Sequence, residues 1–429
     1  MKVRGATVLL GALVSLVTLP AAAIDFSASG FGTVGYARSD QSYGYQRFID
    51  DSGTFWRDSV VGLQLDAKFA DKFSATVQFK LAPASNNDNE YKGTVAWALL
   101  SWRPTNDWLF RAGKQRIPLY LYSETVDVGV TYDFARLPTE MYSISPSNDF
   151  TGLSFSKNWG VENGDLFLDG YWGKSKGDYR FWIRDNIPPV QNSGAGFFGL
   201  DLEGVGLVLS YKRNEDTYRI GAIRSVLTTR NGSPFPTTFP FVTLAPGIGY
   251  YQVDASLPGP GVPTIDKLTN TVVTVGAEVG LGSGFRFVSE FARTFVPKTD
   301  QSTASIRGYV SLLKNVDKWT PYVVYAFLRS QPDVRNLYNN VNDNTVPDSI
   351  PGAALINASQ RAGADRIPAW DQNSWSVGTS YALSATSKLK AEYLRSHIGQ
   401  MSSLVDAPSG GNIRDQNINV FSLSYNFVF

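Results

Sequence analysis

Apolar and polar residues alternate along most of this chain, in stretches of about ten residues. From position 61 onward, Val61, Leu63 and Leu65 fall on one face of an extended segment, while Gln64 and Lys68 fall on the other. Side chains of a strand point alternately to opposite faces, so a period of two predicts β-strands that each have one apolar face.

The same alternation recurs along the rest of the chain and predicts sixteen strands. Their approximate ranges are 25–37, 59–69, 73–82, 94–103, 108–116, 151–158, 164–174, 199–213, 215–229, 268–282, 284–297, 304–315, 319–331, 373–385, 387–398 and 416–429. The shortest connections, such as 104–107, 214, 283, 316–318 and 386, alternate with much longer ones. The long connections are 38–58, 117–150, 175–198, 230–267 and 332–372.

This arrangement of short and long connections is typical of an outer-membrane barrel, which has short periplasmic turns and longer external loops. The sequence therefore predicts an all-β fold, a 16-stranded antiparallel transmembrane β-barrel. Alternation allows one face to meet lipid and the other to meet the lumen, and repeated charges cannot face lipid. We expect Val61, Leu63, Leu65, Phe73, Val77 and Phe79 to face lipid, and Gln64, Lys68, Thr76, Gln78 and Lys80 to face the lumen.

The first 23 residues predict a secretory signal peptide. Lys2 and Arg4 precede an uncharged apolar stretch at 6–19, and three alanines end at Ala23. This order of basic, apolar and small residues predicts cleavage after Ala23 and a barrel domain at 24–429. The alternative, an anchoring helix, needs about 20 spanning residues and a basic cluster after them, which this segment lacks.

The end of the chain carries a second, independent signal. Phe421, Leu423, Tyr425, Phe427 and Phe429 occupy every second position up to the last residue, so one face of the final strand is entirely apolar. In a soluble protein such an edge favours aggregation, whereas in a barrel it pairs with the first strand. We therefore interpret these five residues as a C-terminal assembly signal.

Composition excludes several classes of function. The chain has no Cys, one His (His397), 39 basic and 38 acidic side chains. Without Cys, thiol catalysis and Cys-ligated metals are excluded, and a single His makes a catalytic triad improbable. The near-zero net charge argues against a nucleic-acid partner. We expect no enzyme activity, no cofactor and no metal site.

One motif resembles a dinucleotide fingerprint. Gly30, Gly32 and Gly35 fit the spacing G-x-G-x-x-G, which binds a pyrophosphate only where a helix begins at the glycines. The residues that follow have no apolar helical face, so we interpret these glycines as part of a curved barrel strand.

The third long loop, 117–150, is strongly acidic. It carries Glu124, Asp127, Asp133, Glu140 and Asp149 against Arg136 alone. The preceding strand contributes Arg111, Lys114 and Arg116, and the inward faces of earlier strands contribute Lys68 and Lys80. An acidic loop opposite a basic wall suits a charged pore constriction. The candidate constriction residues are Lys68, Lys80, Arg111, Arg116, Glu124, Asp127 and Asp133. The alternative is a loop that lies outside the barrel as a solvated cap.

Taken together, the signal peptide, the glycine-rich first strand, the sixteen segments, the acidic third loop and the terminal Phe429 resemble the general porins of Gram-negative outer membranes. The resemblance implies a water-filled homotrimer with an inward-folded third loop, in contact with outer-membrane lipid and lipopolysaccharide. It also implies insertion by the barrel assembly machinery and passive diffusion of small hydrophilic solutes. By position, Glu124, Asp127 and Asp133 would face Arg111, Lys80 and Lys68.

Other functions stay open at this point. The basic wall would suit a channel selective for anions such as phosphate or organic acids, although the acidic loop opposes a simple anion filter. A plugged adhesive or structural barrel would instead use the long loops 230–267 and 332–372 to bind a partner.

Overall fold

The computed structural model describes residues 24–145, 147–188 and 191–429, and the predicted signal peptide at 1–23 lies outside them. Among these residues, no helix is long and apolar enough to cross a bilayer. In chain order, the strands within the described ranges are β1 (Asp25–Ser39), β2 (Val60–Ala70), β3 (Phe73–Pro83), β4 (Tyr91–Thr105), β5 (Trp108–Arg116), β6 (Asp149–Val161), β7 (Gly164–Ile183), β8 (Gly194–Arg213), β9 (Asp216–Thr229), β10 (Phe235–Pro236), β11 (Phe241–Ala245), β12 (Ile248–Tyr251), β13 (Thr264–Ile265), β14 (Leu268–Gly282), β15 (Phe285–Phe295), β16 (Ser305–Lys314), β17 (Trp319–Ser330), β18 (Trp370–Ser384), β19 (Ser387–Ser402) and β20 (Gln416–Val428).

Sixteen of these strands, β1–β9 and β14–β20, form a closed barrel. Each barrel strand pairs with its neighbour along the chain, except that β9 pairs with β14 across the intervening loop. The barrel closes where β1 pairs antiparallel with β20, from Phe31 opposite Val428 to Ser39 opposite Val420. Closure leaves no free sheet edge, which is what a membrane-spanning sheet requires. The predicted fold class is confirmed.

The alternation predicted for β2 and β3 is also found. On the inner face, Asp66 accepts hydrogen bonds from Gln64 at 2.8 Å and from Thr76 at 2.5 Å, and Gln78 donates to Gln64 at 2.8 Å. On the outer face, the five side chains Val61, Leu63, Leu65, Phe73 and Phe79 are 42–48% exposed, and Val77 is half-buried. The polar network fixes the register, because a slip of one residue would bring these groups to the apolar face.

The predicted loop 175–198 is largely strand. β7 continues to Ile183 and β8 begins at Gly194, so the two form a hairpin that is longer than predicted. Lys176, Asp178 and Arg180 fill one face of this extension, where a membrane segment would show apolar residues. The alternation of apolar and polar residues therefore ends before the strand ends.

The two longest loops contain structure of their own. Within 230–267, β10 pairs with β13 and β11 pairs with β12. The 332–372 loop contains α2 (Pro332–Asp343) and α3 (Ala353–Asp365). Val253 of the first loop packs with Val334, Val341 and Ile367 of the second in one buried cluster. The two loops thus form one packed unit at the long-loop end of the barrel.

Ion pairs join other loops at the same end. The Arg180 guanidinium lies 2.8 Å from Asp88 of the β3–β4 connection and 2.7 Å from Asp406 of the β19–β20 connection. Arg47 of the β1–β2 connection lies 2.6 Å from Asp88. Three loops and the β7 strand are therefore tied by shared carboxylates.

Candidate pore constriction

The third long loop folds into the barrel. The alternative, a solvated cap outside the barrel, is therefore wrong. Lys390 of β19 donates to the backbone oxygens of Gly129 at 2.6 Å and Phe134 at 2.9 Å. On another part of the wall, Arg219 of β9 donates to the Tyr120 backbone oxygen. Because these strands lie at separate positions around the barrel, the loop must cross the lumen.

The loop itself has little regular structure. It contains one turn of 3-10 helix at Gly129–Thr131 and α1 at Thr139–Tyr142. A Cβ at Gly129 would lie 1.9 Å from Asn426 Oδ1 of β20. A larger residue at this position would therefore have to displace the Asn426 side chain, so glycine allows the loop to lie against the final strand.

One side of the loop is apolar and packs on the barrel wall. Leu119, Phe134 and Met141 share a buried cluster with Val288 of β15 and Tyr309 of β16. The inner wall is apolar where the loop covers it, so the contact between loop and wall buries apolar side chains of both. The loop is fixed against β14–β17 rather than free in the lumen.

Two carboxylates beneath the loop, buried Glu290 and half-buried Glu278, were not predicted as site residues. Glu290 of β15 accepts hydrogen bonds from the Leu121 backbone N–H at 2.8 Å, from Tyr309 at 2.9 Å and from Tyr142. Glu278 of β14 accepts from Tyr122 at 3.1 Å. The sequence signal for these two acids was their position on the inward face of β14 and β15. An acid on a wall that packs against a loop needs hydrogen-bond donors from that loop.

Asp127 lies against the basic wall, close to one of its predicted partners. Lys80 Nζ donates to both Asp127 carboxylate oxygens at 3.0 Å, and Arg116 also donates to this carboxylate. These groups are in direct contact, with no gap of water between opposed charges. Asp127 therefore anchors the loop to β3 and β5.

The predicted pairing of Asp133 with Lys68 is wrong. Asp133 accepts hydrogen bonds from Lys388 at 2.8 Å and Ser380 at 2.8 Å, and it pairs with Arg286. Lys68 is exposed beside the short turn after β2, and no ion pair involves it within the described ranges. The loop runs toward β15 and β19, which supply two cations that the sequence analysis did not consider.

These contacts change the acidity of the Asp133 carboxyl group. Burial favours its neutral form, but the ammonium of Lys388 and the guanidinium of Arg286 outweigh burial and hold the pKa of Asp133 below its ordinary value. Asp133 is therefore charged and paired, and it anchors the second half of the loop.

Glu124 is the exposed acid of this loop. It lines a small polar space together with Arg111, Arg116, Ser154 and Asp169. Glu124 and Arg111 therefore border the same space, without a direct hydrogen bond between them.

The remaining charged residues of the loop also form hydrogen bonds or ion pairs. Arg136 donates to Asp58 of the β1–β2 connection at 3.0 Å, and Asp149 pairs with Lys114 at 3.2 Å. Glu140 is fully buried, accepts a hydrogen bond from Gln372 at 2.9 Å, and has its pKa raised by burial. Most of the acidity seen in the sequence therefore holds the loop in place.

The five C-terminal assembly residues lie on the outer wall of β20 or directly after it. Phe421, Leu423, Tyr425 and Phe429 are 40–68% exposed, and Phe427 is half-buried. The rings of Tyr425, Phe427 and Phe429 stack along the strand, with Phe427 over Gly32 and Phe429 over Gly30 of β1.

Comparison of the sequence with protein-family models and with curated proteins gives no match. Solved structures do match the fold. A loop L8 deletion mutant of OmpT, an outer membrane protein of Vibrio cholerae, aligns with a TM-score of 0.52 at 12% identity, over 95% of this chain and 100% of that chain. The outer membrane channel DcaP of Acinetobacter baumannii aligns with a TM-score of 0.50 at 11% identity, over 95% and 97% of the two chains.

OprB of Pseudomonas putida aligns equally well, with a TM-score of 0.50 at 11% identity, over 95% of this chain and 94% of that chain. At these identities the likeness establishes the fold alone. The class that the architecture defines is the closed 16-stranded barrel shared with outer-membrane channels.

Proposed function

We propose that this protein is an outer-membrane porin, a channel for passive diffusion of small hydrophilic solutes and ions. The observation that carries the proposal is the asymmetric lumen. The inward-folded loop packs on the apolar wall of β14–β17, whereas the wall of β2–β8 presents polar groups such as Asp66, Arg111 and Asp169. A polar wall beside a fixed loop is what a water-filled constriction requires.

The constriction in this proposal consists of Lys68, Lys80, Arg111, Arg116, Glu124, Asp127 and Asp133, in three roles. Glu124 and Arg111 act on passing ions, because they share the small polar space beside the loop. Asp127 and Asp133 hold the loop by their ion pairs. Lys68 contributes positive charge near the short-turn end of β2.

A second candidate is a narrow channel that selects among solutes. The ion pairs of Arg180 with Asp88 and Asp406 support it, because they tie loops together at the long-loop end of the barrel. The packed unit formed by loops 230–267 and 332–372 adds to this restriction.

The proposal includes assembly as general porins assemble. It comprises export by the signal peptide at 1–23, insertion through the C-terminal residues from Phe421 to Phe429, and a homotrimer in lipid and lipopolysaccharide. One similar structure is described as a trimer form of OmpT from Vibrio cholerae. Native mass measurement of the detergent-extracted protein tests the trimer.

The channel itself is tested in a planar bilayer. Purified, folded protein should insert in steps and give a stable open current in KCl. A plugged adhesive barrel would insert without a stable current, and that result would contradict the proposal. Reversal potential in a salt gradient then separates the two candidates, because a general channel discriminates weakly between ions.

A further inference from the structure

A cavity of about 110 Å³ lies between the third long loop and the inner wall formed by β7–β9 and β14–β16. Leu119, Phe150, Ile223 and Val272 give it a mainly apolar lining. A dry apolar cavity of about 150 Å³ can take up benzene, so this space, which is of the same order but smaller, suits an apolar group no larger than one small ring or a short chain.

Arg307 of β16 borders this cavity and is 3% exposed. Its guanidinium donates to Thr294 Oγ1 at 2.7 Å and to the Tyr120 hydroxyl at 2.7 Å, which are both neutral partners. Within the described ranges no carboxylate forms an ion pair with Arg307. A buried charge without a counter-charge is costly, so this position favours a bound anion.

The carboxylate of Glu290 on the neighbouring strand does not serve as that counter-charge. One of its oxygens accepts from Tyr142 and Tyr309, and the other accepts from the Leu121 backbone N–H. Its hydrogen bonds come from two residues of the loop and from Tyr309 of β16, and none comes from the Arg307 guanidinium.

Two further polar atoms at the cavity lack partners. Arg307 Nε and the Tyr171 hydroxyl are buried and make no hydrogen bond, and Tyr171 is 5% exposed. Native proteins pair nearly all buried donors, so two free donors at one cavity indicate a ligand that accepts hydrogen bonds. A carboxylate accepts two such bonds at once.

We infer that this cavity binds a small organic monoanion, whose carboxylate is held by Arg307 and Tyr171 and whose apolar body lies against Leu119, Phe150 and Val272. An inorganic anion would leave the apolar lining unused. The inference rests on the proposed function, because a ligand in the wall of the lumen is a solute that the channel admits. Binding at this cavity makes the channel prefer short-chain or single-ring carboxylates among small solutes.

The test uses benzoate as the probe, with the full-length folded protein in a planar bilayer. Added benzoate should reduce the KCl current saturably, while acetate, which lacks the ring, should do so much more weakly. Arg307→Gln should raise the half-blocking concentration by about tenfold or more, because it removes a charge-assisted contact. Arg307→Lys should retain part of the block.

Two further variants separate the site from the fold. Tyr171→Phe keeps the ring on Phe150 and the net charge, and should weaken the block several-fold. Arg293→Gln is the matched control, because Arg293 lies on the adjacent strand, opposite Ile306, and faces outward. Benzoate should block the current of this variant as it blocks that of the unchanged protein.

Each outcome then has one meaning. Equal block in all variants, or equal block by benzoate and acetate, would overturn the proposed site. A stable KCl current that benzoate does not reduce would overturn this inference, but it would still support the proposed channel function. Absence of any current would contradict the proposed function, and the inference would fail with it.

Discussion

The ring of Phe429 lies over Gly30, at the seam where the barrel closes. A Cβ at Gly30 would come within 2.2 Å of this ring, and Phe427 covers Gly32 in the same way. The backbones of Gly30 and Phe429 also exchange hydrogen bonds at 2.8 and 3.0 Å. Two of the three glycines that mimic a dinucleotide motif, Gly30 and Gly32, therefore make room for the terminal aromatic residues.

This seam predicts the effect of changing the last residue. Phe429→Asp puts a charge on the outer wall and removes the ring from Gly30, so we expect much less heat-modifiable barrel in outer-membrane fractions. Phe295→Asp, at the end of β15, is a control with an exposed Phe away from the seam. Unchanged amounts of folded barrel in Phe429→Asp would contradict the assembly role.

Thiol labelling tests the two faces of β2 and β3. The chain has no native Cys, so single cysteines report one position each. Cysteine at Gln64 or Thr76 should react with a water-soluble thiol reagent, because both face the lumen. Cysteine at Leu63 or Leu65 should react slowly in a bilayer, since both face outward. Faster labelling of the Leu positions would overturn the register.

The barrel was predictable because its signal is periodic and local. Every predicted barrel strand is present, since alternation between lipid and lumen must be encoded residue by residue. The signal fails where the outward face of a strand carries charged residues in place of apolar ones, as in β7 from Lys176 to Arg180. Helices α2 and α3 were missed for a related reason, because they pack on another loop and lie outside the repeating pattern.

The site was predictable only in part. The resemblance to general porins implied that Asp127 faces Lys80, and the two side chains are in contact. The sequence could not place Asp133, since the path of a loop across the lumen depends on contacts far along the chain. The two residues that bind Asp133, Arg286 and Lys388, lie 153 and 255 positions further along the sequence.

Low pH should release the loop. The pKa of Asp133 and that of Asp58, which binds Arg136, are both held below their ordinary value of 3.8, because nearby cations outweigh burial. Acids with a lowered folded pKa stabilise the folded form above the unfolded pKa, and this stability is lost as pH falls through the folded pKa. Protection of loop 117–145 against hydrogen exchange should therefore hold at neutral pH and decline below about pH 4.

A substitution at the same contact gives a second measure of this docking. Asp133→Asn leaves Lys388 and Arg286 without their shared anion, and breaking a buried pair costs about 3 kcal/mol. We expect faster hydrogen exchange in the loop at neutral pH. Glu162→Gln, in the short turn after β6, should behave as the unchanged protein does. Equal protection in both variants would show that these ion pairs do not hold the loop.

Ion preference should depend on Glu124 and Arg111 in opposite directions. Both line the same polar space, so Glu124→Gln should move the reversal potential in a salt gradient toward anions, and Arg111→Gln should move it toward cations. Both shifts should shrink as salt rises, because the Debye length falls from about 10 Å at 0.1 M to about 3 Å at 1 M. Glu162→Gln again serves as the control, since its charge lies outside the lumen. Reversal potentials that do not change in Glu124→Gln at low salt would remove Glu124 from the constriction, even if the barrel conducts.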